Sequence, residues 1–253
     1  MLKKRVIPVL LLRDGRMVKG ARFANYRYTG NPKTAVRIYS AQDADELVFL
    51  DIQASLQSRQ ALVDILQEAA TECFMPLAAG GGICSIEEVR ELLRAGADKV
   101  VVTTAAVTHP QLLAEIAERF GTQSLVAGID YRYEGDLAKV WIRCGTERTE
   151  FDPVAHAVRL AELGAGEIFL NSIDRDGVME GYDLTLAERV AQAVGIPVIV
   201  CGGAGNFMHL ADLLKGTQAS GAACSSIFHF GDNNPIRARS YLRNNGVMCR
   251  NLK

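Results

Sequence analysis

The chain has 253 residues, enough to bury roughly three quarters of its unfolded surface around one core without disulfides or a structural metal. Its formal net charge is −1, which excludes a bulk electrostatic pull toward nucleic acid or a membrane surface, and neither is expected as a partner. The six cysteines (Cys73, Cys84, Cys144, Cys201, Cys224, Cys249) form no CxxC pair and no zinc-like cluster with histidine, so no metal and no cofactor are expected. The basic start, Lys3-Lys4-Arg5, is followed by an apolar run over only 6–12, too short for a signal peptide. No apolar run approaches the ~20 residues of a membrane span. A reduced, cytoplasmic protein is the expectation.

Short apolar runs alternate with longer amphipathic ones along the whole chain. Strands are predicted over 6–12, 47–51, 76–79, 99–103, 125–130, 168–172, 197–201 and 221–225. Helices are predicted over 32–42, 59–73, 86–95, 110–120, 153–163, 184–193, 207–214 and 236–244. Ser85 with Glu88 three residues on is a capping-box signature for the third helix. Near-continuous apolar strands, each followed by a helix, imply a parallel sheet covered by helices. Eight such units over this length fit a closed (β/α)8 TIM barrel, read here as one domain spanning 1–253 with no internal linker.

The barrel carries an internal half-barrel duplication. An offset of 121 takes Glu46 to Glu167, Asp51 to Ser172, Pro76 to Pro197, Gly81-Gly82 to Gly202-Gly203 and Thr104 to Ser225. At an offset of 119, Asp130 corresponds to Leu11.

Asp130 ends the fifth apolar run and precedes a polar segment over 131–136. A carboxylate there is either a cap or a group at the ligand-binding ends of parallel strands. Gly80-Gly81-Gly82 and Gly202-Gly203-Ala204-Gly205 each join a strand to a helix. They are either tight turns or two phosphate sites, with Thr104 and Ser225 adding hydroxyls. Asp176-Gly177 is either an ordinary turn or part of the second phosphate site. The segment over 13–32 holds Asp14, Arg16, Lys19, Arg22 and Arg27 with Phe23, Tyr26 and Tyr28; it is either a mobile cationic lid or a solvated loop. At the opposite strand ends, Arg5, Glu46, Lys99 and Glu167 either close the floor as an ion-pair ring or stand as solvated charges. Alternation places Arg5, Ile7, Val9 and Leu11 on one strand face. The four histidines have no ligand set and are assigned no chemistry.

Several motifs together resemble the cyclase subunit of imidazole glycerol phosphate synthase, HisF, over essentially the whole chain. They are Asp14-Gly15-Arg16-Met17-Val18-Lys19-Gly20, Asp45-Glu46-Leu47-Val48-Phe49-Leu50-Asp51-Ile52, Gly80-Gly81-Gly82-Ile83 and Ala95-Gly96-Ala97-Asp98-Lys99-Val100. Asp174-Arg175-Asp176-Gly177, Gly202-Gly203-Ala204-Gly205 and Ser226-Ile227-Phe228-His229-Phe230-Gly231 complete the set. The resemblance implies a barrel that takes ammonia from a HisH-like glutaminase subunit in a heterodimer. It implies that ammonia reacts at the barrel top with a bis-phosphorylated ribulosyl aminoimidazole carboxamide nucleotide. The implied products are imidazole glycerol phosphate and aminoimidazole carboxamide ribotide, in histidine biosynthesis. By the same resemblance Arg5, Glu46, Lys99 and Glu167 are the ammonia gate and Asp98 faces the partner. Gly82, Thr104, Asp176, Gly177, Gly203 and Ser225 are the phosphate contacts, and Lys19 and Asp130 the catalytic side chains.

The sequence departs from the family's pattern at the chemistry. The family's first acid/base aspartate is replaced by Leu11, which neither donates nor accepts a proton. Asp14 has the wrong strand parity to replace it. Further departures are Thr103 for asparagine, Ala78 for threonine, Cys84 for arginine and Cys224 for alanine. Three functions are consistent with this pattern: a cyclase subunit; a barrel that channels ammonia to a third, amidating enzyme acting for instance on a surface-polysaccharide sugar; and a non-catalytic scaffold that activates its glutaminase.

Overall fold

The computed structural model describes residues 3–53, 56–72, 74–229 and 232–250. Cys73 and the motif positions Phe230 and Gly231 lie outside the described residues. In chain order the strands are β1 (Arg5–Arg13), β2 (Arg16–Ala21), β3 (Ala24–Gly30), β4 (Leu47–Asp51), β5 (Leu77–Gly80), β6 (Lys99–Val102), β7 (Leu125–Glu134), β8 (Leu137–Ile142), β9 (Glu147–Arg148), β10 (Glu167–Ser172), β11 (Val198–Cys201) and β12 (Gly221–Cys224). The helices are α1 (Pro32–Ala41), α2 (Leu56–Glu72), α3 (Ile86–Arg94), α4 (Thr104–Thr108), α5 (Gln111–Phe120), α6 (Pro153–Glu162), α7 (Leu184–Ala193), α8 (Phe207–Gly216), α9 (Ser226–His229) and α10 (Pro235–Asn244).

Strands β1, β4, β5, β6, β7, β10, β11 and β12 pair in that order, all parallel, and β12 returns to β1. The result is the closed (β/α)8 barrel that the run pattern predicts. Its strands are apolar on both faces because both faces are buried. One face packs on the helices. The other fills the barrel with Ile7, Val9, Val48, Val101, Val126, Phe169 and their neighbours, so the interior is a packed core rather than a pore. The third helix starts as predicted: Ser85 Oγ accepts from Glu88 N while the Glu88 carboxylate accepts from Ser85 N.

The segment expected to be a long loop forms strands. Residues 13–32 fold back on β1 as the antiparallel pair β2–β3, with Leu11 opposite Val18 and Arg13 opposite Arg16. Asp14 and Gly15 (φ 51° and 68°) make the first turn, and Arg22 and Phe23 (φ 52° and 58°) the second. The pattern was masked because bulges interrupt the β2–β3 register and β3 is mostly solvent-exposed. The polar segment after Asp130 begins as strand. β7 continues to Glu134 and returns as β8, pairing Asp130 with Trp141. Two short helices, α4 and α9, follow β6 and β12 at the duplicated hydroxyl positions.

Candidate active site

At the floor, Arg5, Glu46, Lys99 and Glu167 form a closed ring of alternating charge. Arg5 Nη1 donates to Glu46 at 2.7 Å and Nη2 to Glu167 at 2.7 Å. Lys99 Nζ completes the circuit at 3.1 Å from Glu46 and 2.8 Å from Glu167. Glu46 is only 1% exposed, which settles the open choice in favour of a buried ring over solvated charges. Burial pushes the Glu46 carboxyl up, while Lys99 and Arg5 pull it back down. The ring is neutral and each member bridges two partners, the arrangement that makes buried charge tolerable. Beside it Asp98 is exposed and its carboxylate accepts the Leu77 N–H at 2.8 Å. Phe74, 94% exposed, stands one turn before β5 on the same end of the barrel.

Directly above the core, at the other end, is a cavity of about 600 Å³. Its base carries Asp130, on the same barrel strand register as Asn171, whose Nδ2 donates to Asp130 Oδ1 at 3.0 Å. Burial drives the Asp130 carboxyl up to about 7; the Asn171 hydrogen bond opposes this and the charge of Asp176 adds to it. A group poised there can both take and return a proton near neutral pH. Opposite Asp130 the wall is apolar, with Leu11 and Leu50 capping the interior core. Asn171 is a site residue that motif reading missed. Its signal was parity: Glu167, Phe169 and Asn171 alternate on the inward face of β10.

Lys19 sits on β2, 4% exposed, and its Nζ lies 2.5 Å from Asp176 Oδ1. The β2–β3 hairpin is held over the cavity by Arg22, whose N–H donates to the Asp176 carbonyl at 2.8 Å. Lys19 is therefore brought into the site on an ordered hairpin, already neutralised by Asp176. Asp176 borders the cavity as the partner of Lys19. Gly177 departs from expectation. Its φ is 71° and it packs on the hairpin, where an added Cβ would meet Gly20 O at 2.3 Å.

The two glycine turns are not equivalent. Gly81 and Gly82 (φ 115° and 60°) border the cavity with Thr104, whose Oγ1 accepts the Arg143 N–H at 3.1 Å and keeps its own proton to donate. Gly202 and Gly203 are buried instead. The Gly203 carbonyl accepts the Gly181 N–H at 2.7 Å, and a Cβ on Gly203 would meet Gly181 O at 2.0 Å. On that side Asp176, Cys201 and Ser225 border the cavity, and Ser225 Oγ is buried without a partner. Gly203 and Gly177 are thus adjacent to the site but do not line it.

The thiols around the cavity are shifted toward the protonated form. Burial pushes Cys201 up to about 12 and Cys144 to about 11, and a hydrogen bond to Glu88 raises Cys84. No group of three or more potential metal ligands occurs among the described residues. Nor is any described helix long and apolar enough to cross a membrane.

Residues 5–234 match the family model described as histidine biosynthesis protein. The chain is 43% identical over 252 residues to the imidazole glycerol phosphate synthase subunit HisF of Anoxybacillus flavithermus, covering 99% of this chain and 100% of that protein. It is equally similar, with the same coverage, to the HisF subunit of Geobacillus thermodenitrificans. With a neutral charge ring at one end of a closed barrel and a carboxylate cavity at the other, the chain belongs to the HisF family of histidine-biosynthesis barrels.

Proposed function

We propose that this barrel is a synthase subunit that receives ammonia at its floor and joins it to a phosphorylated acceptor in the upper cavity. The observation that carries the reading is coaxial: the Arg5–Glu46–Lys99–Glu167 ring and the Asp130 cavity lie at opposite ends of one apolar core. The ring acts as a gate, and neutral ammonia suits the apolar interior better than ammonium does. A glutaminase subunit docks on the floor, where exposed Phe74 offers an apolar anchor and Asp98 a polar contact. At the top, one phosphate is taken by Gly82 N–H and the Thr104 hydroxyl, and the other by Ser225. The acceptor is the bis-phosphorylated ribulosyl aminoimidazole carboxamide nucleotide of histidine biosynthesis.

Asp130 is the working base. When ammonia adds to a carbonyl carbon, a C–N bond forms, the π electrons move to oxygen, and the nitrogen is left with a surplus proton. Asp130 takes that proton, and its elevated carboxyl, about 7, lets it return the proton to the departing oxygen. Two carboxylates would divide those duties. Leu11 leaves both to Asp130, in sequence, so cyclisation is slow. Lys19 holds the Asp176 side of the cavity and meets the acceptor's negative charge.

Leu11 also supports a second reading, in which ammonia passes to a third enzyme that amidates another substrate. One experiment separates the two: assay of cyclisation by the chain together with its glutaminase, and with ammonium salt at high pH. Turnover above that of an Asp130→Asn variant supports the cyclase reading. Turnover equal to the variant, with glutaminase still activated, sinks it in favour of the second.

A further inference from the structure

We infer that Arg59 is the positioning residue of the first phosphate site, acting from behind the glycine turn through the Gly81–Gly82 peptide. The inference rests on the phosphate-binding reading given above.

Arg59 lies on α2, 8% exposed, and does not border the cavity. Its Nη2 donates to the Gly81 carbonyl at 2.7 Å. In a trans peptide the carbonyl and the following N–H lie in one plane and point in opposite directions. Pinning the Gly81 carbonyl to a guanidinium buried behind the turn therefore aims the Gly82 N–H the other way, toward the cavity that Gly82 borders. Among the described residues no acceptor takes that N–H. The geometry demands glycine: Gly81 has φ 115°, and a Cβ there would meet Asp51 O at 2.1 Å. Arg59 Nη1 is buried with no hydrogen-bond partner, so the guanidinium is held with donor capacity in reserve. Glu88 lies beside it, 3.8 Å away, and its carboxylate is already engaged by the Cys84 and Ser85 N–H groups at 2.7 and 3.0 Å.

The duplicated half is built differently. There it is the next carbonyl, that of Gly203, that is pinned, by the Gly181 N–H under a covering loop, and position 180 holds a glutamate where the repeat would carry Arg59 over. The two halves are thus electrostatically distinct. The Gly82 side is open and backed by the buried Arg59; on the other side the glycine turn is covered, and the buried cation near it, Lys19, is already paired with Asp176. A bis-phosphorylated ligand accordingly has a preferred end for the Gly82 site.

The test is titration of the full chain with inorganic phosphate, following the Gly82, Thr104 and Ser225 backbone amides by NMR. In the native protein the Gly82 and Thr104 amides shift at lower phosphate than the Ser225 amide. Arg59→Gln is expected to weaken phosphate at Gly82 on the order of tenfold and leave the Ser225 response within twofold. Arg59→Lys keeps the charge but loses the fork, and should fall between the two; it also serves if the glutamine variant fails to fold. Equal weakening at both amides, or none at either, in variants whose remaining spectrum is unchanged overturns the role of Arg59. No response of the native protein at either turn overturns the phosphate reading itself, and the inference with it.

Discussion

Leu11→Asp is expected to restore cyclisation. Leu11 lies on the inward face of β1, in register with Val18 on one side and Leu50 on the other, and borders the same cavity as Asp130. A positioned acid/base group contributes about 10²–10⁴ in rate, or roughly 3–5 kcal/mol of barrier. The new carboxylate would not be held by supporting hydrogen bonds, so the expected recovery is a fraction of that: at least tenfold in turnover, about 1.4 kcal/mol. Because Leu11 is only half-buried, the stability lost is below the ~1.5–3 kcal/mol of a fully buried leucine. The assay supplies ammonium salt at high pH with the bis-phosphorylated nucleotide and follows release of the carboxamide ribotide, with Tm and phosphate binding measured in parallel. No gain in a variant that still folds and binds phosphate would refute the reasoning. The defect would then lie elsewhere in the upper barrel, at Thr103 or Ala78.

Asp130→Asn should stabilise the protein above neutral pH. The folded-state carboxyl, at about 7, lies above its ordinary value near 3.8, so the folded state holds a proton that the unfolded state releases between those values. Stability is therefore lost as pH rises from about 4 to 7, with a ceiling of about 4 kcal/mol that access to cavity water reduces; identical Tm–pH curves for the two proteins would count against a raised carboxyl. Asn171→Ala removes the hydrogen bond that favours ionised Asp130, so the acid limb of the pH–rate profile should move up by roughly one unit; an unmoved limb with reduced rate would make Asn171 merely structural. Lys99→Met should cut glutamine-dependent turnover more than ammonia-dependent turnover, and lower stability by about 2–3 kcal/mol, since Arg5 still bridges both glutamates. Equal losses with both nitrogen sources would argue against a gate.

The barrel was legible because its signal is local: apolar runs of strand length, separated by amphipathic segments, repeat eight times. The hairpins were harder. β3 alternates poorly between faces and the β2–β3 ladder is bulged, so periodicity gave no sign of either strand. The Asp14-Gly15 pair was nevertheless a readable hairpin turn signal. The partners of buried charges were not readable at all. Lys19 and Asp176 are 157 residues apart, and Arg59 on α2 reaches a turn carbonyl 22 residues on, at Gly81. Duplication also misled: an exact numerical offset implied two equivalent glycine turns, whereas the loop that covers Gly203 has no counterpart over Gly82.

Strand parity ties the two ends of the molecule together more tightly than any motif does. On β10, Glu167 closes the floor ring, Phe169 fills the core and Asn171 grips Asp130, all from one inward face. On β1 the same face carries Arg5, Ile7, Val9 and Leu11. A slip of either strand by a single residue would turn ring, core and cavity residues outward together. The floor ring and the cavity face are thus set by one register, so the residue at position 11 can vary at the cavity while the ring below it stays intact. Replacing one inward side chain at the top leaves the strand's alternation, and hence the ring at its foot, unchanged.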